Sequence, residues 1–216
     1  MHRLFLIVSL LVMLVALVLR RVNADRLLRR AKMIRLHGSS RDMAEKMLAS
    51  MGHGDVKLEM TARANRIWAG MDVVGEHWIR IPVEKEGQEN AYVHGLTALR
   101  VGLYLLSLRE PRLIARRRWA IRFGHVFPIF ATMVAAFVML TGRASWSITI
   151  VMSSLAMAAC VQVATFMVER RAAELATVVL EKKRIYPRLS DEEAVSDALR
   201  GWSWFRVLPG ILARLT

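Results

Sequence analysis

Three long apolar stretches constrain the fold of this 216-residue chain more than any other feature. They cover residues 4–19, 123–142 and 148–168, and none of them contains Asp, Glu, Lys or Arg. Inside a bilayer every backbone polar group must find its partner within the protein, so stretches of this kind are typical of membrane-spanning helices. The sequence therefore predicts an integral membrane protein with three transmembrane helices.

The charges that flank these stretches predict one orientation. Lys and Arg concentrate on the cytoplasmic side of membrane spans. The basic residues expected at the membrane surface are Arg20, Arg21, Arg116, Arg117, Arg118, Arg170 and Arg171. With the N-terminus outside, only Arg3 and Arg143 of the 32 basic residues lie on the outer side. We therefore expect the N-terminus outside and the main soluble part in the cytoplasm.

The first stretch has two interpretations. It is short, and Val22-Asn23-Ala24 resembles the small-residue site of a cleaved signal peptide. However, Arg20 and Arg21 would lie between the apolar core and the cut, and the basic excess is at the wrong end for an export signal. We therefore favour a retained anchor.

The charge and cysteine content limit which partners and which cysteine chemistry are expected. The chain has 32 basic and 18 acidic residues, giving a net charge of +14. Most of this charge flanks membrane stretches, so we expect it to attract anionic lipid headgroups and expect no nucleic-acid partner. The single cysteine, Cys160, lies within the third stretch. It can form neither an internal disulfide nor a Cys-type zinc site.

The segment between the first two spans predicts a small domain with a helix packed on a sheet. Ser39 is placed to cap a helix that Gly52 ends. Alternation predicts strands over 55–60 and 78–81, forming a small sheet or a hairpin. Residues 91–108 predict a long apolar helix in the core of this domain. The expected fold class is thus α+β and mostly helical.

The remaining boundaries follow from the same pattern. We divide the chain into an anchor (1–22), a cytoplasmic domain (23–122), a transmembrane hairpin (123–168) and cytoplasmic C-terminal helices (169–216). Ser190 is expected to cap the last helix, which Arg200-Gly201 would close. Trp202, Trp204 and Phe205 would then open a broken, interfacial aromatic tail available to a partner. Gln162, inside the third span, is expected at a helix–helix interface.

The order of these elements resembles the YugP-type membrane (neutral) zinc metallopeptidase family. The resemblance extends over most of the chain, and four short stretches in the same order carry it. They are RDMAEKMLASMGHGDVKLEMT (41–61), SLREPRLIARR (107–117), VERRAAEL (168–175) and LSDEEAVSDALRG (189–201). The resemblance implies a helical membrane scaffold whose core helix bears a His-Glu-x-x-His zinc motif, with a downstream glutamate as third ligand.

This chain lacks that motif. His94 is followed by Gly95-Leu96-Thr97-Ala98, and alignment on Pro111 places residues 97–101, Thr-Ala-Leu-Arg-Val, at the motif. Glu169 matches the family's third ligand, but we expect it to be ion-paired with a nearby arginine. No catalytic residue and no metal site is therefore expected, and the weak metal candidates are Glu169, His94 and His77.

Three functional hypotheses remain. The first is a degenerate metallopeptidase-like protein of the bacterial cytoplasmic membrane that acts as a binding, scaffold or regulatory subunit. Its partners would be the bilayer with its anionic headgroups and a membrane protein or active paralogue, and it would need no cofactor. The alternative is an active membrane metallopeptidase that holds zinc with a non-standard ligand set. A small membrane scaffold unrelated to peptidases is a third reading.

Overall fold

The computed structural model describes residues 2–61, 73–83 and 89–205. These residues are mostly helical and include one small sheet, which confirms that part of the predicted fold class. The helices are α1 (His2–Arg20), α2 (Arg26–Met33), α3 (Ser40–Ser50), α4 (Ala91–Arg109), α5 (Pro111–Leu140), α6 (Ala144–Lys183) and α7 (Leu189–Phe205). The strands are β1 (Lys57–Thr61) and β2 (Trp78–Pro82). A π-helical turn, Arg21–Asp25, joins α1 to α2 without a break.

Within the described residues, four helical segments are long and apolar enough to cross a membrane: Arg3–Met33, α4, α5 and α6. α4 differs from the others in its surroundings. Within the most apolar window of each segment, 78% of the residues of α4 are buried in the protein, against 17%, 28% and 33% for the others. Protein therefore surrounds α4, whereas the other three expose apolar faces.

α6 packs against both α1 and α5. α5 and α6 are antiparallel and joined by a tight turn at Gly142, which has φ +77°. α1 runs parallel to α6: the hydroxyls of Ser9 and Ser153 are 3.2 Å apart, and Ala16 packs with Ala159. α6 has 40 residues, so it is about 60 Å long. It is therefore about twice as long as a bilayer core is thick, and its C-terminal half extends into the domain below.

That domain is built around α4, as predicted. α4 packs against α3, β2, α6 and α7. Its two glycines allow close approach: a Cβ on Gly95 would lie 2.5 Å from the Cβ of Ala198, and one on Gly102 would lie 2.1 Å from the carbonyl oxygen of Ala172. Gly95 and Gly102 are thus the contact points of α4 with α7 and α6, respectively.

The two strands pair in parallel, with Lys57 opposite Trp78 and Met60 opposite Ile81. A sheet is confirmed, but the hairpin alternative is wrong because a hairpin requires antiparallel neighbours. Ile79 and Ile81 are fully buried and belong to the same core as α4. Their alternation with partly exposed neighbours is the period-2 pattern of a half-buried strand.

The ends of α3 agree with those predicted from the sequence, whereas the ends of α7 do not. Ser39 caps α3, accepting hydrogen bonds from the backbone N–H groups of Arg41 and Asp42, and Gly52 follows that helix with φ +79°. α7, in contrast, begins at Leu189, so Ser190 lies inside its first turn rather than capping it. It also continues past Gly201 to Phe205, because Gly201 packs closely on Leu27 and Leu28 and does not end the helix.

One hydrophobic core joins segments that the sequence divides. It includes Leu28 of α2, Met47 of α3, Leu103 of α4, Leu180 of α6 and Leu199 of α7. The C-terminal helices up to Phe205 therefore belong to the same folded unit as the segment 23–122, within the described ranges.

Candidate functional site

A buried ion pair lies where α5 and α6 enter the domain. Both Nε and Nη2 of Arg117 lie 2.8 Å from Oε1 of Glu169. The side chains are 1% and 0% exposed. A pair this deeply buried has lost its hydration, so each charge depends on the other for its stabilisation.

This pair decides the positions of two predicted site residues. Glu169 is ion-paired with an arginine, as expected, although the partner comes from α5 rather than from the neighbouring Arg170 or Arg171. Arg117 was expected among the membrane-surface arginines, and this is corrected: it points into the protein because Glu169 lies opposite it across the helix pair. The sequence signal for such an inward residue is helical spacing: Ile114 and Ile121, three and four residues away, lie on the same face of α5 and are also buried.

His94 is buried on α4 and has a protein partner at each ring nitrogen. Its Nδ1 lies 2.6 Å from the hydroxyl of Tyr186, and its Nε2 lies 3.2 Å from the carbonyl oxygen of Gly38. A carbonyl only accepts, so Nε2 carries the proton and Nδ1 accepts from the tyrosine. The imidazole therefore ties α4 to the loop before α3 and to the segment after α6.

The three weak metal candidates do not form one site. His77 is exposed just before β2, and its carbonyl accepts a hydrogen bond from the N–H of Lys57. His94 and Glu169 have the separate partners given above. Across residues 2–61, 73–83 and 89–205, no three His, Cys, Asp or Glu side chains come together in a way that could hold a metal ion.

The other arginines predicted at the membrane surface differ in burial: one is buried, one is half-buried, and four are exposed. Arg20 is 5% exposed, with its guanidinium 4.5 Å from the centre of the Phe205 ring and its Nε 3.7 Å from Asp25. Its predicted place at the headgroup surface is corrected, because α7 covers it. Arg118 is half-buried and donates to the carbonyl of Val74. The exposed members are Arg21, Arg116, Arg170 and Arg171.

The aromatic residues predicted to open a free tail are instead packed within α7. Trp202 is buried, and its Nε1 donates to the carbonyl of Tyr92 at 3.0 Å. Trp204 packs on Phe166 with ring centres 4.0 Å apart, and Phe205 lies under Arg20. The expected exposed aromatic surface is thus corrected, because these side chains join α7 to α1, α4 and α6. Residues 206–216 of the predicted tail lie outside the described residues.

Gln162 and Tyr92 are two further polar residues that are packed against neighbouring helices. Gln162 is buried against α5, where a Cβ on Gly124 would lie 2.3 Å from its Nε2, so it lies at the α5–α6 interface where the sequence placed it. Tyr92, in the first turn of α4, packs on Trp202 and under Lys32. Burial raises the pKa of the Tyr92 phenol, and the charge of Arg20 partly opposes this rise.

A cavity of about 820 Å³ in this region was not predicted from the sequence. It opens between the π-turn with α2, the middle of α6 and the end of α7. Its lining includes Val22, Asn23, Arg26, Leu27, Arg30, Phe166, Arg170, Glu174, Thr177, Arg200 and Trp204. These residues come from three distant segments, so only the helical spacing of Arg26 and Arg30 signals it in the sequence.

Comparisons with protein-family models, with curated proteins and with solved structures find no match to this chain. The functional assignment therefore depends on the sequence pattern and on the geometry described above.

Proposed function

We propose that this protein is a membrane-anchored relative of the YugP-type zinc metallopeptidases that has lost catalysis and serves as a binding or regulatory subunit of a membrane complex. The observation that carries the proposal is the Arg117–Glu169 pair. Glu169 is the residue that matches a metal ligand of the family, and its carboxylate is fully buried 2.8 Å from a guanidinium. An arginine in that position supplies the positive charge that a zinc ion would otherwise supply.

The helix that would bear the zinc motif supports the same conclusion. At the positions aligned with the motif, residues 97–101 are all buried. Thr97 donates to Ser40, and Arg100 donates to the carbonyl of Arg80 in β2. Leu99 and Val101 are part of the hydrophobic core. These side chains hold α4 against its neighbours, and none of them is a zinc ligand.

The proposed membrane arrangement has three spans in the bacterial cytoplasmic membrane. α1, α5 and α6 cross it, while α4 remains in the cytoplasmic domain with the N-terminus outside. Two observations support this arrangement: the parallel contact of α1 with α6, which matches the arginines at the same end of both, and the burial of α4. Anionic headgroups would then face the exposed Arg21, Arg116, Arg170 and Arg171.

A membrane-protein partner fits the exposed face of α5. Trp119, Phe123 and Phe127 stack in a row with ring centres 5.4 and 4.7 Å apart, and Phe130 and Phe137 are 63% and 70% exposed. We define these five residues as the aromatic stripe. A neighbouring transmembrane helix, from another protein or from an active paralogue, would pack along it.

Zinc content tests the loss of catalysis. The full chain, purified in mild detergent and dialysed against a weak chelator, is analysed for metal by elemental mass spectrometry. We expect less than about a tenth of an equivalent of zinc, because tight zinc sites need three or four protein ligands in tetrahedral array.

The alternative predicts a different result. An active peptidase with its own ligand set needs about one zinc per chain. That zinc would be lost in Glu169→Gln and retained in Glu174→Gln, the matched control whose carboxylate is exposed. Such a result, together with zinc-dependent peptide cleavage, would overturn the proposed function.

A further inference from the structure

The cavity between α2, α6 and α7, which we call the arginine pocket, is strongly basic. Arg26, Arg30, Arg170 and Arg200 line it, and Glu174 is its one acidic lining residue. Glu174 is ion-paired with Arg170 at 2.8 Å, and both are about 60% exposed. In the part of the chain that the structure describes, the guanidinium groups of Arg26, Arg30 and Arg200 form no hydrogen bond or ion pair. Three cations therefore remain available to an anion.

The rest of the lining is apolar and aromatic. Leu27, Phe166 and Trp204 contribute to it, and the last two pack with ring centres 4.0 Å apart. Above the pocket this surface continues along both helices that flank it. Val18 and Val22 on one side are 49% and 64% exposed, and Met167 on the other side is 57% exposed. A ligand that fits this surface has an anionic head and an apolar tail.

The pocket lies at the depth where the spans leave the bilayer. Asn23 and Phe166 both line it. Asn23 lies four residues beyond the end of the first apolar stretch, and Phe166 lies two residues before the end of the third. Arg26, Arg30 and Arg170 follow them toward the domain. Basic pockets between transmembrane helices at this depth are suited to lipid headgroups.

The π-helical turn shapes one wall. In residues Arg21–Asp25 each turn contains an extra residue, and the side-chain amide of Asn23 donates to the carbonyl of Leu19 at 2.8 Å. Isolated π-turns inside α-helices are frequent at functional sites. This one lies between the apolar part of α1 and the basic part of α2, which places Val22, Asn23, Arg26 and Arg30 along one wall of the pocket.

We propose that the arginine pocket binds one anionic phospholipid, with its phosphate between Arg26, Arg30 and Arg200 and its acyl chains along the exposed faces of α1 and α6. The proposal rests on the membrane arrangement proposed above, but it does not depend on the relation to peptidases. It goes beyond general attraction of basic residues to a charged surface, because it assigns one lipid to a cavity with a defined lining.

Native mass spectrometry of the full chain in detergent tests it. Phosphatidylglycerol and phosphatidylcholine with the same acyl chains are titrated separately, and bound lipids are counted. We expect one phosphatidylglycerol to bind well before any further lipid, and no such step with phosphatidylcholine. Each juxtamembrane arginine contributes about fivefold to the binding of anionic lipid, so the triple variant Arg26→Gln, Arg30→Gln, Arg200→Gln should bind on the order of 100-fold more weakly.

Two further variants distinguish binding of the lipid inside the cavity from general attraction of the lipid to positive charge. The triple variant Arg109→Gln, Arg112→Gln, Arg116→Gln removes the same charge from exposed positions outside the cavity, and we expect it to keep the first lipid. Thr177→Trp places a bulky side chain inside the cavity without changing the charge, and we expect it to lose the first lipid. Size-exclusion profiles check that each variant is folded.

Three outcomes would overturn the proposal. An equal loss in both triple variants would show general electrostatic attraction. Retention of the first lipid in Thr177→Trp would place it outside the cavity. Full competition by millimolar glycerol 3-phosphate would assign the site to a soluble anion. Flotation of the protein with neutral phosphatidylcholine vesicles tests the membrane arrangement separately, so its failure is distinguishable from loss of the lipid site.

Discussion

Replacing Arg117 with Met should lower the free energy of unfolding by about 3–5 kcal/mol, because the change leaves the carboxylate of Glu169 buried without its cation. Glu169 is 0% exposed, so water cannot replace the lost partner unless the helix pair opens. Replacing Glu169 with Leu should be similarly costly, because it leaves the guanidinium of Arg117 buried without its anion. The double variant Arg117→Met, Glu169→Leu should recover most of the loss, since apolar pairs of similar volume often match a buried ion pair.

The unfolding free energy can be followed by tryptophan fluorescence during titration of the detergent-solubilised protein with dodecyl sulfate. Arg171→Met is the matched control, because Arg171 pairs with Glu110 while both are about half exposed. Exposed pairs contribute at most about 1 kcal/mol. Equal effects of Arg117→Met and Arg171→Met would contradict the buried pair.

Gly102→Ala should destabilise the protein by about 2–3 kcal/mol, the cost of overpacking at a rigid contact. A Cβ at this position would lie 2.1 Å from the carbonyl oxygen of Ala172 and 2.9 Å from its carbonyl carbon, so the α6 backbone must move. Alanine is otherwise favoured over glycine inside a helix by about 1 kcal/mol. A net loss therefore shows that the α4–α6 contact outweighs helix propensity.

Gly54→Ala provides the control for Gly102→Ala. The nearest atom to a Cβ at Gly54 is 3.9 Å away, and Gly54 does not have a positive φ. The same titration should show a change near zero for this variant. If Gly102→Ala left the stability unchanged or raised it, the packing of α4 against α6 would be different from that described.

Most helices and strands of this fold were predictable from local sequence patterns. How these helices and strands pack and pair with one another was not. Apolar length predicted the long helices α1, α5 and α6, and the alternation in 55–60 and 78–81 predicted the strands. The parallel pairing of those strands is a long-range property, and no local signal in either strand specifies the direction in which the two strands pair. Gly201 illustrates a second limit, because a glycine near a helix end indicates a stop unless a neighbour packs against it, as Leu28 does here.

The candidate site was predictable only in part for a related reason. An ion pair for Glu169 follows from the cost of burying a lone carboxylate, but its partner, Arg117, lies 52 positions away. The side chains of the arginine pocket come from three segments that meet only in the fold. Basic residues near a span indicate a charged surface, and their arrangement around a cavity depends on how α2, α6 and α7 pack.

Cysteine labelling on both sides of α4 tests the proposed three-span topology most directly. α4 is apolar enough to span, yet the proposed topology keeps both of its ends in the cytoplasm. Single cysteines are introduced at Glu89, Arg112 and Ser145 in a Cys160→Ala background, and intact spheroplasts are treated with a membrane-impermeant maleimide. All three positions are exposed in the structure.

We expect Ser145→Cys to be labelled in intact spheroplasts, and Glu89→Cys and Arg112→Cys to be labelled only after permeabilisation. Ser145 lies in the first turn of α6, on the proposed outer side, and the other two positions flank α4. Labelling of only one of the two α4 flanks in intact spheroplasts would show that α4 crosses the membrane. That result would contradict the three-span arrangement and the cytoplasmic domain built around α4.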